Sequence, residues 1–219
     1  FPVGDFSTTL AAYWFPREGR VNPVDMTMAL ARGARDHGTQ ILQDTRVEQI
    51  LTANGRAVGV RTEHGDIAAD HIVIAAGMWS RQIGASAGIN LPLQAAEHYY
   101  LITEPIEGVH RDLPLLEDAH SWAYFREEVG GLIIGLFEPD AAPWNVDRIP
   151  DRFSFGEIEP DWDRVGPHLE RAFARVPAAA SAGIRKLFCG PESFTPDLAP
   201  LVGEAPGLRN CWVAAGLNS

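Results

Sequence analysis

Two apolar runs in this chain end in the same way. His71–Ser80 reads HIVIAAGMWS and Cys211–Gly216 reads CWVAAG, so each passes from β-branched residues into Ala-Ala-Gly. A short, nearly continuous apolar run suits a strand buried on both faces, as in a parallel sheet. Small residues at its carboxyl end let something approach the backbone closely. In open α/β sheets, ligands lie outside the carboxyl ends of strands, at that same place. A tightly packed helix would account for one such end. A pair of them favours a large, flat cofactor laid against bare peptide.

The remaining sequence divides into two styles. NPVDMTMALARGARDHG (22–38) reads as a helix: Asn22 caps it, Pro23 takes the first position, Asp25 sits in the positive first turn and Gly38 stops it. Its apolar members Met26, Leu30 and Ala34 share a face. β-rich runs follow around 46–52, 57–62 and 71–75, with turns at Asn54-Gly55 and His64-Gly65-Asp66. A short helix is expected from Trp79 through Gly84. From Pro92 the style changes. AAEHYYLITEPI, SWAYFREEVGGLIIGLFE and AGIRKLFCGPESFT read as antiparallel strands, and DWDRVGPHLERAFARVP as an amphipathic helix. The expected class is mixed, α/β with α+β character, its two layers interleaved in one unit rather than strung as beads.

Composition removes several functions. Net charge is -11, with 18 Lys+Arg against 29 Asp+Glu and no basic cluster, so a nucleic-acid surface is not expected. No apolar run approaches the roughly 20 residues of a membrane-spanning helix. Cys189 and Cys211 lie far apart without a CxxC pair, which suits two buried thiols in a reducing compartment. His110, His120 and His168 lack metal-ligand spacing, so no metal is expected, and Ser193 has no GxSxG around it. The chain opens at FPVGDFSTTL without Met and closes soon after a strand, which reads as an internal piece of a longer protein.

Four blocks carry a resemblance: GRVNPVDMTMALARGARDHGTQI, VGVRTEHGDIAADHIVIAAGMWSRQIG, AEHYYLITEPI and GPESFTPDLAPLVGEAPGLRNCWVAAGLNS. In this order they resemble the FAD-dependent amine oxidoreductases of the D-amino-acid-oxidase superfamily, in particular the dimethylglycine and sarcosine dehydrogenase branch. The resemblance implies part of a FAD-binding Rossmann-like domain interleaved with a β-rich antiparallel substrate domain. Residues 1–20 would be an edge or connector of the substrate domain, 21–91 part of the FAD-binding domain, 92–190 the substrate domain and 191–219 a return to the cofactor domain. It implies FAD as cofactor and hydride transfer from an N-methylated glycine-type amine such as dimethylglycine or sarcosine. An electron-transfer carrier protein, or folate bound by a further module, would be the partner, and the cytoplasm, or the mitochondrial matrix in a eukaryote, the location. The family's glycine-rich GxGxxG turn is not in this sequence, nor are its flavin-carrying histidine and its folate module, so this segment is not expected to hold FAD alone. The alternatives are a flavoenzyme of the same superfamily acting on another amino acid or a hydroxy acid, or a non-catalytic fragment.

The same resemblance implies site residues. Val47 matches the place where the family's backbone meets the adenine end of FAD. Ala75, Ala76, Gly77 and Trp79 match the stretch beside the flavin, and Gly216, Leu217 and Asn218 begin the loop along its ring. His98 matches the active-site histidine, able to take a proton from the amine. Tyr124 is its expected partner on the next strand. Arg126, two residues on and hence on the same strand face, is the candidate for a substrate carboxylate, with Arg185 as runner-up. A surface salt bridge to Glu127 or Glu128 is the plainer account of Arg126. Tyr99 and Tyr100 are expected to be packing residues.

Overall fold

The structure is a computed structural model and describes residues 1–218. It begins with helix α1 (Pro23–Asp36), strands β1 (Val47–Ala53), β2 (Arg56–Thr62), β3 (Gly65–Ala68) and β4 (Ile72–Ile74), a 3₁₀ turn (Gly77–Trp79) and helix α2 (Ser80–Ala85). Strands β5 (Gln94–Thr103), β6 (Leu116–Asp118), β7 (Ala123–Glu128) and β8 (Gly131–Leu136) follow. Helices α3 (Trp162–Arg175) and α4 (Pro177–Ser181) then lead to strands β9 (Ile184–Phe194), β10 (Leu201–Glu204) and β11 (Cys211–Ala215).

Contacts group the chain into two units. Unit 1 comprises Phe1–Ile41, His98–Asp140 and Glu157–Gly190; unit 2 comprises Leu42–Glu97, Ala141–Gly156 and Pro191 onward. Residues 21–41 fall in unit 1; α1, capped by Asn22 Oδ1 on the N–H groups of Val24 and Asp25, buries none of its residues. Helical periodicity reveals an apolar face but not what covers it. Residues 141–156 fall in unit 2, where Glu97 N–H donates to the Ala142 carbonyl and Trp144 N–H to that of Ala95, both at 2.8 Å.

Unit 1 is built on a sheet of order β6-β7-β8-β5-β9. Alternation along its strands sends Tyr99, Leu101, Phe125, Leu132, Ile134, Leu136 and Cys189 to one side, where they are at most 1% exposed. That side forms the core with Val165, Leu169, Ala172 and Val176 of α3. These α3 positions recur at helical spacing, and Asp161 caps the helix by accepting the Arg164 N–H at 3.1 Å. β7 and β8 turn at Val129 and Gly130, both with positive φ (49° and 79°), as tight hairpins require.

Unit 2 holds two small sheets, β1-β2-β3 antiparallel and β10-β11-β4 mixed. β10 pairs antiparallel with β11, while β11 and β4 run parallel, Cys211 beside Ile72 and Val213 beside Ile74. Ile50, Ile72, Ile74, Leu91, Cys211 and Val213 form its core. Both cysteines are buried and unpaired with each other.

Candidate active site

The side of the unit 1 sheet away from α3 is the polar one. From Tyr99 onward the odd positions of β5 are buried, so the flanking even positions, His98 and Tyr100, face the other way. On β7 the same alternation turns Tyr124 and Arg126 outward while Ala123 and Phe125 are fully buried. Register then aligns them, because Gly135 of β8 pairs with Tyr100 on one side and with Tyr124 on the other. The missing side chain at 135 is what makes the row possible: a Cβ there would sit 2.0 Å from the Tyr124 ring. Any larger residue would displace the ring. The sheet therefore brings His98, Tyr124 and Arg126 to one face, together with Tyr100.

Aromatic rings furnish the rest of that face. Tyr100 stacks on Phe188 with centroids 4.5 Å apart, and Tyr124 tilts against Phe137 at 5.7 Å. Burial, together with Glu157 and Tyr124, pushes the Tyr100 hydroxyl above its ordinary pKa, against a smaller lowering by Arg126, so it remains a neutral donor and acceptor at working pH. His98 is not solvent-facing: its side chain is 19% exposed, and its Nδ1 lies 3.8 Å from Oε2 of Glu138, a carboxylate only 3% exposed.

Arg126 differs from its alternatives. Glu127 points to the other face, where Arg20 binds its side chain at 3.1 Å and its Oε1 accepts the Gly130 N–H at 3.0 Å. Arg185 is paired with Glu104 at 3.2 Å. Arg126 forms no ion pair among the described residues, and its Nε is buried without a hydrogen-bond partner. A salt bridge to Glu127 or Glu128 does not occur. A guanidinium left this way is suited to a carboxylate from a ligand.

In unit 2, parallel pairing of β4 and β11 carries their carboxyl ends out of the sheet side by side, placing Ala75–Gly77 next to Ala214–Gly216. The two ends differ in what surrounds them. Ala75 and Gly77 are exposed, and a Cβ on Gly77 would meet nothing within 4 Å. Gly216 is instead covered by the protein: a Cβ there would come within 2.6 Å of Thr195 and 3.0 Å of Leu93. Its φ of +68° aims the following residues, of which Leu217 is exposed and Asn218 half-buried. Asn218 Oδ1 is buried and has no hydrogen-bond partner. Trp79 lies half-buried in the 3₁₀ turn, its N–H on the Ala76 carbonyl at 3.0 Å. A planar heteroaromatic ring bearing its own N–H fits this set, since it needs an open strand end and satisfies an orphan acceptor. Val47 stands apart from it, in the other sheet of the unit, paired with Thr62. The neighbouring Arg46 backbone is bound to Glu63.

Tyr100 on the polar face and Glu138, within reach of His98, were not singled out as site residues from sequence. Tyr100, expected to be a packing residue, stacks on Phe188 and also shares the strand face of His98, two residues before it. Tyr99, in contrast, is core at 1% exposure. Glu138 follows the buried GLIIGL run, where an acid is costly unless a partner meets it. A cavity of about 800 Å³ in unit 1, lined by Phe6, Trp14, Leu116 and Arg175 among others, shares none of these residues. Among the described residues no group of His, Cys, Asp or Glu is placed to hold a metal ion. Among the described residues no helix is long and apolar enough to cross a membrane.

Unit 2 offers open strand ends that suit a flat ring, and unit 1 separately offers a polar, aromatic sheet face carrying His98, Tyr124 and Arg126. The chain belongs to the DAO family of FAD dependent oxidoreductases, whose match spans residues 1–219. It is 40% identical over its whole length to the 4-methylaminobutanoate oxidase (formaldehyde-forming) of Paenarthrobacter nicotinovorans, covering 26% of that protein. To the mitochondrial sarcosine dehydrogenase of Mus musculus it is 35% identical, again over the whole chain and 24% of the relative. Among solved structures, L-proline dehydrogenase from P. horikoshii superposes with a TM-score of 0.81 at 26% identity, over 98% of this chain and 55% of that one. The chain thus spans about a quarter of the length of the relatives it matches.

Proposed function

We propose that this chain supplies the amine site and part of the flavin seat of an enzyme that oxidises N-methylated amino acids, of the sarcosine and dimethylglycine type, at the carbon next to nitrogen. FAD, when bound, supplies the hydride acceptor. The observation that carries the reading is the convergence of His98, Tyr124 and an unpaired Arg126 on one sheet face. Arg126 holds the substrate carboxylate through its planar fork. Tyr124, laid over Gly135, positions the amine. His98 takes the ammonium proton, because hydride leaves readily only from a neutral amine. The aromatic surroundings from Phe137 and Phe188 exclude water from this step. Ala75, Ala76, Gly77 and Trp79, with Gly216, Leu217 and Asn218, hold the cofactor ring, and Val47 lies toward its adenine end.

The relatives' printed names support the same class, one acting on 4-methylaminobutanoate and another on sarcosine. A phosphorylated hydroxy acid is less well served. Lys186 and Arg185 are engaged by Glu157 and Glu104, which leaves Arg126 on this face for a dianion. Electrons would pass on to a carrier protein, or the one-carbon product to folate on a further module. The cytoplasm, or the mitochondrial matrix in a eukaryote, is the setting we assign. The test is anaerobic mixing of the full-length protein with sarcosine, dimethylglycine and 4-methylaminobutanoate while flavin absorbance is followed. Bleaching by at least one is expected. A colourless protein, or a yellow one indifferent to all three, would sink the proposal.

A further inference from the structure

Resting on this amine-oxidation reading, we propose that Glu138 is a positioning residue for His98. It draws the imidazole Nδ1–H toward its carboxylate and so presents Nε2 to the substrate ammonium.

The argument begins with cost. β8 is buried at every position, and the chain leaves it through Phe137 into an acid whose side chain is 3% exposed. Taking a carboxylate out of water costs several kcal/mol unless a cation or strong donor meets it. The His98 imidazole lies within ion-pair reach, with Nδ1 3.8 Å from Oε2. A neutral imidazole donates from only one nitrogen, so a carboxylate facing Nδ1 selects the tautomer with hydrogen there and a lone pair on Nε2. Most neutral imidazoles in water carry the proton on Nε2, and such a ring could not accept from the substrate at that atom.

The step balances without an external reagent. The N–H bond of the substrate ammonium breaks and an Nε2–H bond forms. The positive charge moves from substrate nitrogen to an imidazolium that Glu138 faces, and no electrons change hands. The anion raises the imidazole's affinity for that proton. The other ionisable groups on this face are Tyr100, which burial keeps neutral, Tyr124, Arg126, and Lys186 on β9, which is paired with Glu157.

The decisive experiment is a nitrogen-detected NMR titration of the full-length protein, with His98 assigned by H98N. In the unsubstituted protein the neutral ring is expected to carry its proton on Nδ1; a proton on Nε2 would overturn the proposal without any variant being made. E138Q is expected to lower the His98 pKa, whereas E138D, which keeps the charge, restores it. In parallel, E138Q should slow flavin reduction by about 10-fold or more and move the acid limb of its pH profile downward. Combined with H98N it should add nothing further, because the two act as one unit. A slowed E138Q with an unmoved limb and full additivity would assign Glu138 a structural role only. If no N-methylated amine reduces the flavin even in the unsubstituted protein, the functional reading fails, while the titration still decides whether Glu138 sets the state of His98.

Discussion

Arg126 and Arg185 carry the same charge into different surroundings. Arg185 spends its guanidinium on Glu104, and the pair is half in water, where such contacts contribute little. Arg126 has no acid partner among the described residues and a buried Nε with nothing to donate to. A bidentate carboxylate would relieve that cost and gain two charge-assisted hydrogen bonds. R126Q should therefore raise KM for an N-methylated amino acid by about 10- to 100-fold, with kcat changed far less, because the contact is made equally in ground and transition states. R185Q should leave both constants near their starting values. Steady-state kinetics on the full-length protein checks this. An unaltered KM in R126Q would remove Arg126 from the substrate site.

At the scale of elements, β6 is fastened to the end of α3 by a buried ion pair. Arg175 Nε lies 2.7 Å from Asp118 Oδ2, with side-chain exposures of 9% and 13%, and the same guanidinium reaches the Asp5 carbonyl and Thr9. Burial by itself would raise the Asp118 pKa, but hydrogen bonds from Arg175, Ser121 and the His120 backbone outweigh it and hold the carboxyl below its ordinary value. A folded pKa depressed in this way contributes stability that is present above the unfolded value of about 3.9 and lost as pH falls through the folded one. R175M strands the buried carboxylate and should cost about 3–5 kcal/mol in urea unfolding at neutral pH. The deficit should shrink as pH falls and Asp118 of folded R175M, without its arginine, takes up a proton before Asp118 of the unsubstituted fold does. A deficit independent of pH would mean lost packing rather than a lost pair. How far such elements could be read beforehand follows from what sequence encodes locally. The two-residue alternation of β5 and β7, the Asn22 cap and the apolar stripe of α3 are local, and all are visible in the residue order. The row Tyr100–Gly135–Tyr124 is not, because it depends on the register of β8 between two strands distant in sequence. Glu138 escaped notice for the same reason: its meaning comes from an imidazole forty residues away.

At the scale of the whole chain, two features act together on cofactor binding. The first is topology. β4 leads through a 3₁₀ turn into α2, a helix of six residues, and no GxGxxG turn precedes any helix in these 219 residues. A glycine-rich turn feeding a helix N-terminus is the usual receptor for a dinucleotide pyrophosphate. What unit 2 offers instead is suited to the ring: the open ends at Ala75 and Gly77 and the orphan acceptor on Asn218. The second feature is charge. A net -11 sets up a field that repels a dianionic pyrophosphate, and only salt relieves it. The 219-residue chain by itself should therefore bind FAD weakly and lose it on gel filtration at low ionic strength. Riboflavin, which carries no phosphate, should bind it about as well as FAD does. The full-length protein should retain FAD through the same column. Flavin fluorescence titrations of both proteins with both ligands make the comparison. A chain that emerged yellow and stoichiometric with FAD would show that pyrophosphate recognition resides in residues assigned here to other work.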